Sequence, residues 1–202
     1  MAVGPNAKTP IFDYDMEPLH SNPSLLNFSS SSILLLCLTQ PCYNCANSLT
    51  YIETYIIAMD NITFKLVTND EELRSALEVR RQVFVQEQGV SESLEYDGYD
   101  DEALHMVVKD EERVIGTARV RFLTTSQAKI ERIAVLRPFR RRGIGRNIIS
   151  FLKRELKSKQ IEHVVLHAQY AVTAFYKSCG FVEIGPPFWE DGIKHIKMQL
   201  RL

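Results

Sequence analysis

The chain has 202 residues, a formal charge of −1, 45% apolar residues and 24% charged ones. That is the composition of a soluble globular protein, and the length allows one domain with an appendage, stable without disulfides or metals. The near-neutral balance gives no support to a nucleic-acid binder driven by overall charge.

Residues 1–58 differ from the rest. They hold one Lys (Lys8) and no Arg, a serine run at Ser29–Ser32 and no strand or helix period, so they are read as a poorly ordered extension. Cys42-x-x-Cys45 is half of a zinc pattern, but no second ligand pair of suitable spacing lies nearby, and no metal is expected. With Cys37 and Cys179 these thiols make no disulfide framework, which points to a reducing, cytoplasmic compartment. The apolar run Ile33–Leu38 is too short to span a bilayer. Asp13, Asp15 and Glu17 upstream replace the basic start of a secretory signal, so no membrane contact is expected. Met59 is a candidate natural start, and the folded domain is expected over 59–202.

From Asn61 the patterning is clear. Ile62–Thr68 alternates as a half-buried strand does. Asn69 or Asp70 caps a helix with Glu71 and Glu72 in its first turn, with Leu73, Leu77, Arg80 or Arg81, and Phe84 at helical spacing, and an end at Gly89. An acidic loop follows, from Glu92 to Glu102. Strands are predicted at Leu104–Lys109, Val114–Phe122 and Lys129–Leu136, joined by short turns as an antiparallel meander. Ile144, Ile148, Leu152 and Leu156, widened by Ile149, form the stripe of an amphipathic helix. A buried strand at Glu162–His167 and a short helix at Ala171–Ser178, stopped by Gly180, come next. Strands at Phe181–Ile184 and Lys194–Leu200 finish a β-α-β-β-β-α-β-α-β-β order, an α+β or mixed-sheet domain.

The stretch Arg137-Pro-Phe-Arg-Arg-Arg-Gly-Ile-Gly-Arg146 lies between a strand and that amphipathic helix. Gly143 and Gly145 let the backbone turn tightly, and the amides that open the helix carry partial positive charge, a place for a pyrophosphate. The flanking guanidiniums add phosphate contacts. The pattern is neither the dinucleotide fingerprint nor a P-loop, and taken alone it also fits an arginine-rich surface loop touching nucleic acid.

The residues around it resemble the GCN5-related N-acetyltransferase (GNAT) superfamily. Arg140-Arg-Arg-Gly143-Ile-Gly145 matches the signature [QR]-x-x-G-x-[GA]. Ile130-Glu-Arg-Ile-Ala-Val135 precedes it, and Phe175-Tyr176-Lys-Ser-Cys-Gly180-Phe181 follows. A closer likeness is to a small prokaryotic-type subgroup, carried by Arg80-Arg-Gln-Val83-Phe-Val-Gln-Glu87-Gln88-Gly-Val90, by Asp97, Asp100, Ala103 and His105, and by Glu190-Asp-Gly-Ile-Lys-His195-Ile-Lys-Met198. The resemblance covers about residues 60–202. It implies a six- to seven-stranded, mostly antiparallel sheet flanked by helices, with a splayed central strand pair that binds acetyl-CoA.

It also implies transfer of acetyl from acetyl-CoA to a primary amine by direct attack in a ternary complex, a small-molecule or protein amine being the acceptor. The cofactor would be held by the backbone of Ile133, Ala134 and Val135, by Arg140, Arg141, Arg142, Gly143, Ile144, Gly145 and Arg146, and by Gln169, where the superfamily often has Asn. Tyr176 is the expected general acid, able to give a proton at neutral pH. Glu131 is the first candidate base and His105 the second, with His195 sharing the ambiguity of a strand histidine. Glu87, Gln88, Tyr96, Asp97, Asp100, Glu190 and Asp191 would gather at the acceptor side as a mouth that attracts a cation. A non-catalytic acyl-CoA-binding or sensor domain is the alternative, though it would not need Tyr176. Nucleic-acid binding lacks interleaved aromatics and a basic face, and is not expected. A homodimer is left open.

Overall fold

The computed structural model describes residues 61–202; the extension, with Cys37, Cys42 and Cys45, lies outside the described residues. The elements run β1 (Ile62–Leu66), α1 (Asp70–Arg80) with a π-helical continuation (Arg81–Glu87), α2 (Glu92–Glu95), β2 (Leu104–Asp110), β3 (Arg113–Phe122), β4 (Gln127–Val135), α3 (Ile144–Ser158), β5 (His163–Gln169), α4 (Thr173–Ser178), β6 (Val182–Glu190) and β7 (Ile193–Arg201). The strands form one sheet in the order β1-β2-β3-β4-β5-β7-β6. Pairs β2–β3, β3–β4, β5–β7 and β6–β7 are antiparallel, and β4–β5 is parallel. This is the α+β, mostly antiparallel architecture that the sequence predicts.

The core follows from the patterning. β3 is buried on both faces from Ile115 to Val120, with α1 and α3 packed against it. Ile144, Ile148, Ile149, Leu152 and Leu156 of α3 are all buried, as their spacing requires. On α1 the buried line is Glu72, Ala76, Val79 and Arg80, continued by Val83 and Phe84. Leu73 and Leu77, expected at its centre, are half-buried at its edge. Small Ala76 lets the helix sit close to the sheet, and the buried Arg80 is satisfied by carboxylates rather than excluded from the core.

Three elements differ from expectation. The single helix expected up to Gly89 changes to π geometry at Arg81, a form common at functional sites. The acidic loop opens with the short helix α2. β6 continues to Glu190, because Phe188–Glu190 resume the ladder with β7 after an irregularity at Gly185, Pro186 and Pro187. Proline cannot donate to a ladder, so the strand signal breaks there in the sequence although the strand resumes. Asp191 (φ 54) and Gly192 (φ 72) then close a two-residue hairpin turn whose twist matches its strands.

Candidate active site

The site begins with a defect in β4. Thr117 pairs with Ala134 and Arg119 with Glu131, so Arg132 and Ile133 together face Ala118. Arg132 takes φ 53, a left-handed conformation uncommon for a residue other than glycine. Such a bulge bends a strand. β4 and β5 accordingly pair only from Gln127↔His163 to Lys129↔Val165, then part. Among the described residues, the backbone edge of β4 past Lys129 has no strand partner on its β5 side. A cleft of about 390 Å³ opens there, lined by Ile130–Ile133 of β4, by Gln88, and by Gln169, Tyr176, Glu190 and His195.

Beneath one wall lies a dense ion network. Arg119 is fully buried and meets Asp97 (2.6 Å), Glu131 (2.8 Å) and Asp100 (3.0 Å). Arg80, also fully buried, meets Glu95 and Asp100 at 2.5 Å. Arg132 adds Glu95 and Asp97 at 2.9 and 3.2 Å; its contact to Glu95 is close but lacks hydrogen-bond geometry, leaving Nε without a true partner among the described residues. Burial alone would raise the Asp97 and Asp100 carboxyls, but hydrogen bonds from Arg119 and Arg80 outweigh it and hold both below the ordinary carboxylate range. Glu95, Asp97 and Asp100, three of the six acids in residues 92–102, thus fasten that stretch to the sheet.

Glu131 belongs to the same network. It takes hydrogen bonds from Arg119 and lies 2.7 Å from Lys129. Burial works to raise it, yet Lys129 and Arg119 prevail and hold it below its usual value. His105 stands behind Asp100, its Nε2 3.0 Å from the Asp100 carbonyl, and does not line the cleft. Its Nδ1 is buried without a partner among the described residues, and burial lowers its basicity.

Tyr176 lines the cleft while its ring packs edge-on against Phe175 and Phe181, at 4.9 and 5.9 Å between centroids. Gln169 reaches across the cleft and donates to Gln88 Oε1 at 3.1 Å. That bond turns Gln88 Nε2 away, and this buried N–H has no acceptor among the described residues. Of the three β4 residues expected against the cofactor, Ile133 lines the cleft, while Ala134 and Val135 are buried and do not.

The arginine-rich loop sits outside the cleft, at the N-terminus of α3. Gly143 is the N-cap, in the left-handed region (φ 76), with no side chain capping the turn and no acid in it. An added Cβ at Gly143 would meet nothing within 4 Å, so only backbone conformation demands glycine there. Ile144 and Gly145 are buried in the first turn. Arg140 is spent inside the protein: it grips Glu87 at 2.6 and 2.7 Å and donates to the Val135 carbonyl at 2.8 Å. Arg142 lies over the Phe139 ring, and Arg146 reaches Ser178 at 3.0 Å. Arg141 takes a left-handed conformation (φ 65).

The acetyltransferase (GNAT) domain model matches residues 65–202. The chain belongs to the GNAT acetyltransferase family. The uncharacterized protein YyaT of Bacillus subtilis is 37% identical over 140 residues, covering 68% of this chain and 94% of that one. The structure of an acyl-CoA N-acyltransferase from Pseudomonas aeruginosa is 27% identical with a TM-score of 0.60, covering 68% and 97% of the two chains. A GNAT acetyltransferase from Elizabethkingia anophelis with acetyl-CoA bound, 21% identical, shares the fold at a TM-score of 0.55 over 71% and 99%.

Several residues of the GNAT site escape a reading by motif. Arg119 is one arginine in an ordinary strand, and nothing local marks it as the hub of three carboxylates. Gln88 stands inside a motif, yet its unpaired amide is visible only once Gln169 is placed beside it. Among the described residues no helix is long and apolar enough to cross a membrane, and no group of three or more His, Cys, Asp or Glu is placed to hold a metal ion.

Proposed function

We propose that this GNAT domain acetylates a primary amine by direct attack within the cleft, both reactants being bound together. Acetyl-CoA supplies an activated acyl thioester. The fit to this chain rests on three features: an uncapped helix N-terminus at Gly143 in the segment that follows β4, a β4 edge that parts from β5, and Tyr176 lining the cleft. The first-turn amides of α3 from Gly143 to Arg146, with Arg141, Arg142 and Arg146, are the anion site for the pyrophosphate. Arg140 serves that loop from within, tying it to Glu87 and β4 rather than touching phosphate. The backbone of Ile133, Ala134 and Val135 offers hydrogen bonds to the pantetheine amides, as a strand edge does for any extended partner. Gln88 Nε2, held in place by Gln169, is a donor waiting for a ligand carbonyl.

Tyr176 gives a proton to the departing sulfur. Holding two reactants in the cleft supplies much of the acceleration. Glu131, with Lys129 and Arg119 upon it, is a poor base and acts as an anchor of the network; His105 supports Asp100 from outside the cleft. With Asp97 and Asp100 neutralised, attraction for an ammonium comes from Glu190 and Asp191 at the opposite wall.

Calorimetry of the full chain with acetyl-CoA tests the reading. Tight binding to wild type that disappears in Gly143→Asp supports it. A folded wild type that binds no acetyl-CoA overturns it.

A further inference from the structure

This inference rests on the transferase reading above. An amine attacks only as the neutral base, and Glu131 is held by Lys129 and Arg119 while His105 lies outside the cleft. The cleft's other wall, built by β5, β6 and β7, carries His167, Glu190, Asp191 and His195.

His195 is oriented by its own strand. Its Nδ1 lies 3.0 Å from the Ile193 carbonyl. A carbonyl oxygen only accepts, so Nδ1 carries the proton and Nε2 keeps the lone pair. Among the described residues Nε2 makes no hydrogen bond. The ring stacks on Phe188, its partner across β6–β7, at 6.0 Å and 26°. Across β5–β7 it pairs with Gln169, the residue that spans the cleft to Gln88. Its register therefore places it at the level where the cleft is bridged, in a cavity that Tyr176 also lines.

We propose that His195 is the base that takes a proton from the acceptor ammonium through Nε2. The N–H bond of the ammonium breaks, its electron pair stays on nitrogen as the nucleophile, and an Nε2–H bond forms, moving the positive charge to the imidazole. The proton then leaves by the rim, where His167 Nδ1 stands 3.4 Å from Glu190. Burial keeps His195 below its ordinary basicity; Glu190 and Asp191 favour its charged form and His167 opposes it, with burial prevailing. The ring is thus neutral and ready at pH 7.

The test uses the full chain labelled with 15N-histidine, His195 being assigned by its absence in His195→Gln. The expected ring is neutral at pH 7, protonated on Nδ1, and titrates below about 6.5, the ordinary histidine value. A ring protonated on Nε2 or charged at pH 7 overturns the proposal. Thiol release from acetyl-CoA is then followed with L-lysine, spermidine, glucosamine and a lysine-containing peptide. His195→Gln is expected to lower kcat by about 10²-fold, consistent with loss of a general base, to lose the acid-side inflection of the rate and to keep its acetyl-CoA affinity. Unchanged affinity separates a lost base from a misfolded chain. A variant that matches wild type in rate and pH profile overturns the base alone. A wild type that binds acetyl-CoA but releases no thiol with any of the four amines overturns the transferase reading, and the base with it.

Discussion

The two long helices begin in opposite ways. α1 starts closed: Asn69 accepts from the Glu72 amide at 2.9 Å, and Asp70, Glu71 and Glu72 neutralise its dipole. Glu72 is further held by Lys65 at 2.5 Å, which with the Thr68 backbone keeps its carboxyl below the usual range. α3 starts open: a left-handed glycine, no side-chain cap, no acid, and arginines on both sides. A helix end whose own sequence satisfies it is structural. An end that the sequence leaves uncapped, and surrounds with cations, is the kind of end an anion from outside satisfies, as the proposed pyrophosphate site requires.

Breaking this contrast gives the largest expected effect. Gly143→Asp places a carboxylate at the open end, where the side chain has room but the left-handed backbone is strained, less for aspartate than for most residues. Acetyl-CoA affinity should fall by roughly 10³-fold, since like-charge juxtaposition costs several kcal/mol, while the thermal midpoint drops only by the modest cost of that strain. Calorimetry and a melt together check both halves.

α1 is structural at its far end too, where Arg80 joins Arg119 in the buried network. Arg119→Met should lower unfolding free energy by about 3 kcal/mol, the low end for a broken buried pair, because Asp97 and Asp100 retain some access to water. Urea denaturation measures it. The sign with pH follows from the same carboxylates. Asp97, Asp100 and Glu131 are depressed in the folded state, so their contribution is present above the unfolded values near pH 4 and is lost as pH falls below them. Wild type should therefore lose stability on acidification below about pH 4 more steeply than Arg119→Met does.

Tyr176→Phe sharpens the contrast from the catalytic side. It should lower kcat by about 10²-fold and leave acetyl-CoA affinity intact, the reverse of Gly143→Asp. Steady-state thiol release paired with calorimetry separates the two. The smallest effect belongs to the closed end: Asn69→Ala should cost about 1 kcal/mol of stability and change neither affinity nor rate.

Much of this was legible before any coordinates. The α3 stripe, the cap at Asn69 or Asp70 and the glycine pair opening α3 are local signals, each fixed by residues within a few positions of one another. The spacing of Leu73 and Leu77 sets the α1 face off to one side, because large apolar residues dominate the pattern and small Ala76 does not. From sequence Glu131 stands first as base, because its strand position is visible there and its partners Lys129 and Arg119 are not.

What the sequence by itself determined is therefore the order and type of the elements, the α+β class and the open helix end, all set by short-range periodicity, capping and backbone sterics. The tertiary structure alone decided where β4 bulges and leaves β5, which carboxylates are consumed by Arg80, Arg119 and Arg132, that Arg140 faces inward to Glu87, and that His195 meets Gln169 across the ladder. These depend on groups far apart in the chain: the charge of a carboxylate is readable from sequence, but its basicity is set by whichever cation folding brings beside it.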